Sequence, residues 1–234
     1  MSWLDQSCLV AGYVNVQQLR ELPMTAEFLT GQDPASRFMT AIRDWTAVDL
    51  DSVTDLWLGV AGKDNAVFIL QGTFNQTTIR ARLTGVEAFR ISTPAGAEFA
   101  VTMPDDKRPG KVNMAAFLTP ELLAVGQPNQ VEALLANRIE GRKHPRAAEL
   151  QRLDDPKHAV EALLLQVPND KGTTPAILIE NVRLVHLTLD AGSDFVGQAA
   201  ITPAVAEMAA PLARLLESAV EVYRLLPSKP TGLD

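Results

Sequence analysis

Hydrophobic positions along this chain switch between two periods, and the switches mark its elements. Alternation or short apolar runs over Cys8 to Val14, Val53 to Val60, Ala66 to Thr73, Ile177 to Leu189 and Phe195 to Ile201 predict strands. Gly62-Lys63-Asp64-Asn65 joins the second and third of these as a hairpin, and Ala191 to Asp194 joins the last two. Val86 to Val125 reads as a meander of short strands, broken at Pro94 to Gly96 and at Pro104 to Gly110.

Helical spacing appears elsewhere. Val16 to Leu22 is a short helical turn ended by Pro23, and Asp33-Pro34 opens a helix carrying Phe38, Ile42 and Trp45. Asn75 caps a helix with Ile79 and Leu83 on one side and Gly85 as its stop. Asn129, with Glu132 completing a capping box, starts a helix that buries Val131, Leu134, Leu135 and Ile139 and ends at Gly141. A short helix runs to Leu153. Asp155-Pro156 then repeats the opening signal, placing Val160, Leu163, Leu164 and Val167 at helical spacing, although a buried strand over Ala159 to Val167 fits the same residues. Thr202 and Pro203 begin a terminal helix to Leu226, whose Glu207, Arg214, Glu217, Glu221 and Arg224 share one stripe. That stripe makes it an amphipathic helix lying on a core, so no membrane span is expected.

Two stretches of the pattern match each other. Val53, Leu56, Leu58 and Val60 correspond at one constant interval to Val182, Val185, Leu187 and Leu189, and period-two alternation puts Leu56, Leu58, Val60, Val185, Leu187 and Leu189 on core faces. Each stretch is followed by a turn, a second strand and a capped helix. The expected fold is therefore α+β, with antiparallel sheets, helices packed on one face and an internal duplication. The halves would be residues 1–110 and 111–234, the second ending in the long amphipathic helix.

Composition narrows the classes. The 234 residues are 47% hydrophobic, enough for a substantial core without staples. A formal net charge of -7 disfavours phosphate backbones, so no nucleic-acid partner is expected. The single cysteine, Cys8, excludes a disulfide scaffold, and it follows Asp5-Gln6-Ser7 rather than an apolar run, so neither a cleavable export signal nor a lipid-attachment signal is expected in the chain as given. The compartment stays open between cytoplasm and a processed extracytoplasmic location.

The run Gly12-Tyr13-Val14-Asn15-Val16 to Leu22-Pro23, with Leu123-Ala124-Val125-Gly126 leading into the helix of Val131 and Leu134, resembles bacterial envelope-associated proteins built of duplicated α+β halves. The resemblance covers about half of the chain and implies a fold, but no activity, cofactor or catalytic residue.

Chemistry is sparse. There is no Gly-x-Ser-x-Gly turn, and His144, His158 and His186 have no partner at motif spacing, so no catalytic residue is assigned and each histidine reads as a surface or packing residue. No histidine pair has metal-ligand spacing. Asp49, Asp51 and Asp55 lack the glycine and distal glutamate of a calcium loop, and Gly59 to Asp64 lacks the Ser or Thr of a phosphate loop. Neither a metal nor another cofactor is expected. The candidate binding residues are Trp57 and its counterpart at the repeat interval, His186, together with the basic cluster Arg142, Lys143 and Arg146. Trp57 is either an aromatic anchor on an open sheet or core covered by a neighbouring element, and the cluster is either an anion site or solvated linker. These features suggest a non-enzymatic binding or structural module that meets a protein partner or itself. The alternative is a small-ligand-binding protein or enzyme whose site is assembled from distant residues.

Overall fold

The computed structural model describes residues 1–21, 43, 48, 50–62, 65–105, 110–167, 180–191 and 195–214. Among them, ten strands form one sheet. They are β1 (Val10–Asn15), β2 (Val53–Gly62), β3 (Asn65–Gly72), β4 (Arg90–Ser92), β5 (Phe99–Pro104), β6 (Val112–Thr119), β7 (Leu122–Gly126), β8 (Val160–Leu164), β9 (Val182–Ala191) and β10 (Phe195–Pro203). The helices include α1 (Val16–Arg20), α2 (Gln76–Thr84), α3 (Pro128–Glu140) and the single turn α4 (Ala147–Leu150), which runs on into a 3-10 turn, Gln151–Asp154. The spatial order of the sheet is β10-β9-β8-β1-β2-β3-β7-β6-β5-β4, with every neighbouring pair antiparallel.

The register fixes which side chains share a face. One row runs Gln198, Thr188, Glu161, Tyr13, Trp57, Ile69, Ala124, Ala116, Ala100 and Ser92, crossing all ten strands. It is polar at one end, aromatic in the middle and small where Ala124, Ala116 and Ala100 leave room for a helix. Val131, Leu134 and Leu135 of α3 occupy that room, in a cluster that also takes in Leu4, Leu150, Leu153 and Leu163. The intervening residues point the other way. There Leu70, Phe99, Val101, Phe117 and Leu123 pack with Ile79 and Leu83 of α2, with Phe117 stacked on Phe99 at a centroid distance of 4.4 Å.

Helices thus cover both faces, which corrects the expectation of one. The physical reason lies in β5, β6 and β7, whose residues are buried almost without alternation. Strands apolar on both sides need cover on both. The expected division at residue 110 falls in the turn between β5 and β6, and the sheet crosses it unbroken, with β6 paired to β5 and β7 to β3. The six positions expected on core faces are not fully buried either. Leu56, Leu58, Val60, Val185 and Leu189 are half-buried and Leu187 is 47% exposed, whereas Val182 and Leu184 on the opposite face of β9 are buried. Alternation was legible there; which face met the core was not.

Those same residues lie in a symmetrical row. Ala199, Leu187, Ala162, Gly12, Leu58 and Phe68 are successive partners across β10, β9, β8, β1, β2 and β3, so three of these strands lie on either side of the Gly12–Ala162 pair. Leu58 and Leu187 stand at equivalent places on either side of it.

Caps account for several element boundaries. Asn75 Oδ1 accepts from the Thr78 amide at 3.1 Å as the sequence predicts, and Asn15 Oδ1 does the same for Gln18 at 2.7 Å. The helix expected to start at Asn129 starts instead behind Gln127, with Pro128 in its first turn and no side-chain cap. It ends at Gly141, whose φ of 65° lies in the left-handed region glycine favours. Ile139 on this helix is exposed rather than buried. Asp155-Pro156 opens no helix, because the segment that follows is β8, inserted between β1 and β9. Likewise Pro203 belongs to β10 rather than to a helix; residues 209–214 are helical, and the rest of the expected terminal helix, like that of Phe38, Ile42 and Trp45, lies outside the described residues.

Candidate functional site

At the polar end of the long row, α4 and its 3-10 turn lie beside β8 and β9 and leave a cleft. It has a volume of about 510 Å³ and is lined by Ala148, Gln151, Arg152, Asp155, Lys157, His158, Glu161 and His186. Its floor is Glu161, with a side chain only 5% exposed. A carboxylate so placed needs donors, and it has three. The backbone amides of Lys157 and His158 donate to Oε1 at 2.8 and 3.2 Å, and His186 Nε2 lies 3.2 Å from Oε2. The turn that brings those amides around is Asp155 to His158, the stretch that the Asp-Pro signal marked as a helix start.

A second imidazole is held in the same way. His158 Nδ1 lies 2.8 Å from Asp190 Oδ1, tying the entry of β8 to the far end of β9. Next along the row, Tyr13 Oη donates to Asp55 Oδ1 at 2.6 Å. Burial, then that hydrogen bond, push the phenol well above its ordinary range, so Tyr13 stays protonated as a donor. In contrast, Arg152, Lys157 and Asp155 on the rim have no ion pair or side-chain hydrogen bond among the described residues. The cleft therefore combines a floor of mutually satisfied groups with two cations and one carboxylate that are uncommitted.

The residues chosen from sequence distribute unevenly. His186 lines the cleft. Trp57 is half-buried, its ring tilted against Tyr13 at 5.5 Å and its Nε1 donating to the Leu153 carbonyl at 2.7 Å. The indole is covered by the 3-10 turn and its one donor is in use, which favours the covered-core alternative over an open anchor. Arg146 is a clamp: Nη2 donates to the carbonyls of Leu165 and Arg183 at 2.9 and 2.7 Å, and Nη1 lies 3.5 Å from Glu149. Arg142 pairs with the neighbouring Glu140, and Lys143 is exposed. The three residues of the basic cluster are thus engaged differently, Arg146 within the fold, Arg142 with its neighbour and Lys143 toward solvent. His144, expected at the surface or in packing, is buried, with Nδ1 accepting from the Arg146 amide at 2.9 Å. Cys8 is buried core as expected.

The sequence marks neither Glu161, Lys157 nor Arg152, and it offers His158 only as a surface or packing residue. The missing signal was the strand assignment of β8, since only an extended Val160–Leu164 puts Glu161 beside Tyr13 and across from the strand of His186. Among the described residues no group of three or more His, Cys, Asp or Glu side chains could hold a metal ion, and no helix is long and apolar enough to cross a membrane.

No family model matches this chain, and no curated protein does. Its fold, however, is found among solved structures. Crystal form III of TP0453 aligns with a TM-score of 0.58 at 9% identity, covering 99% of this chain and 89% of that one. Crystal form I gives 0.58 at 8% identity, covering 94% and 84%, and crystal form IV gives 0.55 at 10% identity, covering 93% and 87%. At such identities the likeness is one of fold alone, and the sites must be read from this chain's own residues.

Proposed function

We propose that this protein is a non-enzymatic binding module whose ligand seat is the cleft between α4 and strands β8 and β9, and that the ligand is a small anion, a carboxylate or a phosphate. The observation that carries this reading is the division of labour within the cleft. Glu161 and Asp190 are satisfied by protein donors, while Arg152 and Lys157 are uncommitted cations on the rim. An anion entering there gains charge-assisted hydrogen bonds without displacing an existing pair. Imidazoles fixed to carboxylates supply a floor that need not reorganise on binding. The reading of two related halves is supported by the symmetrical row about Gly12 and Ala162, with the cleft belonging to the second unit alone.

The test is a thermal-shift titration with inorganic phosphate and with short mono- and dicarboxylates, on the full chain and on Arg152→Ala/Lys157→Ala. A ligand present at about 100 times its Kd stabilises by about 2.7 kcal/mol. Stabilisation that vanishes in the double variant, with no turnover of the bound compound, supports the reading. A flat response of the full chain to every compound overturns it.

A further inference from the structure

The two edges of the sheet are treated very differently. β4 is only three residues long and carries Arg90, both ordinary protections against unwanted pairing. β10 runs for nine residues, Phe195–Pro203, and contains no charged side chain. Residues 196–200 are all exposed, with Val196 at 52%, and none of 195–203 has a further hydrogen bond beyond its ladder to β9 among the described residues. Long and neutral, β10 carries only two of the devices that keep sheet edges apart, a register irregularity between Thr202 and Pro203 and the proline itself, both at its last positions.

Its composition also says what fits. Gly197, Ala199 and Ala200 form a centre with almost no side chain, and a Cβ built on Gly197 would meet nothing closer than 3.9 Å, so the fold itself does not require a glycine there. Bare backbone at an edge permits close approach of another backbone. Side chains this small at its centre offer a foreign peptide little of the pocketing that gives a sheet edge specificity. A second copy of β10 needs none. In an antiparallel pairing about Ala199, Val196 faces Thr202 and Gly197 faces Ile201, so each branched residue meets a smaller or compatible neighbour and no like charges face each other. The molecule already contains a pairing of this kind, where β1 meets β8 antiparallel with Gly12 opposite Ala162. The net charge of -7 would repel two copies brought together elsewhere on an acidic surface, whereas β10 contributes nothing to that repulsion.

We propose that the β10 edge is a self-association surface, through which two copies pair antiparallel about Ala199 to continue one sheet across a two-fold axis. The contact is isologous and closed, so assembly stops at the dimer. This surface is separate from the cleft, and its existence does not depend on any ligand there.

Sedimentation of the full chain over a range of concentrations tests it. A monomer–dimer equilibrium is expected, with Ala199→Lys and Ala199→Glu each raising the dimer dissociation constant by about tenfold or more, and an equimolar mixture of the two variants recovering dimer. Thermal unfolding checks that both variants fold. Should either fail to fold, Ala199→Cys provides a second readout, because Cys8 is buried and the introduced thiol is the reactive one: oxidation should give a disulfide-linked dimer. A wild-type chain that stays monomeric, a dimer indifferent to Ala199→Lys, or an Ala199→Cys variant that does not cross-link overturns the proposal.

Discussion

Leu4 lies directly over Gly59, so close that a Cβ on the glycine would sit 2.5 Å from Leu4 Cδ2. This contact anchors the segment preceding β1 to the middle of β2, and Leu4 is one of the most completely buried side chains. The clash is with the end of a side chain, so it can be relieved at a cost. Gly59→Ala should destabilise by about 1 to 3 kcal/mol, and by less when Leu4 is already Ala. Chemical denaturation of the four proteins of this cycle measures the coupling; simple additivity would mean that the two residues do not press on each other.

Gly72 faces a harder neighbour. A Cβ there would lie 2.0 Å from the Ser52 carbonyl oxygen, and backbone cannot step aside as a leucine can. Gly72→Ala should therefore cost more than Gly59→Ala, about 3 kcal/mol or above. Gly110, with φ of 80° and open space around its missing Cβ, should lose only about 1 kcal/mol as Ala. The ranking Gly72, Gly59, Gly110 is read from midpoints in urea.

Arg146 and its neighbours separate structure from surface. Arg146→Met should cost about 2 to 4 kcal/mol, because two carbonyls and Glu149 lose a shared donor. Arg142→Ala and Lys143→Ala should stay within about 0.5 kcal/mol. Chemical denaturation measures all three, and equal losses would contradict this separation.

Two groups predict how stability varies with pH. Burial, then the charge of Arg146, holds the His144 imidazole below its ordinary range. The unfolded chain therefore takes up a proton first as pH falls, so the stability His144 contributes is present above its unfolded pKa, near 6.5, and is lost below it. Burial pushes the Cys8 thiol up to about 11, so the stability it contributes is full below 9.0 and is lost as pH rises toward 11. Melting temperature against pH should show both shoulders, the acid one weakened in His144→Gln and the alkaline one in Cys8→Ala. At pH 8 the native Cys8 thiol should resist a disulfide reagent that modifies it rapidly after unfolding.

What the sequence made legible was local. Gly62 to Asn65 announced the β2–β3 hairpin because turn chemistry acts over a few residues, and Asn75, Gly85 and Gly141 did the same for helix ends. Asp155-Pro156 misled because the same residues suit a tight turn, and here the turn serves to aim two amides at Glu161. Whether Val160 to Leu164 is helix or strand is decided by β1 on one side and β9 on the other, far away in the chain. The cleft was hidden for that reason: its floor exists only once three distant strands are side by side. The exposed face of β9 was misassigned for a related reason, since alternation defines two faces but not which one a helix will cover.

The double burial of β5, β6 and β7 has a kinetic meaning. Amides sandwiched between α2 on one side and α3 on the other have no route to solvent short of global unfolding, so their hydrogen exchange should report the full stability of the protein. At the other end β9 and β10 are covered less and can part from the sheet at lower cost. In the monomer, exchange should therefore quicken in steps from Phe117 toward Ala199, making the sheet a graded ladder of opening energies, with the ligand seat and the β10 edge at the end that opens first.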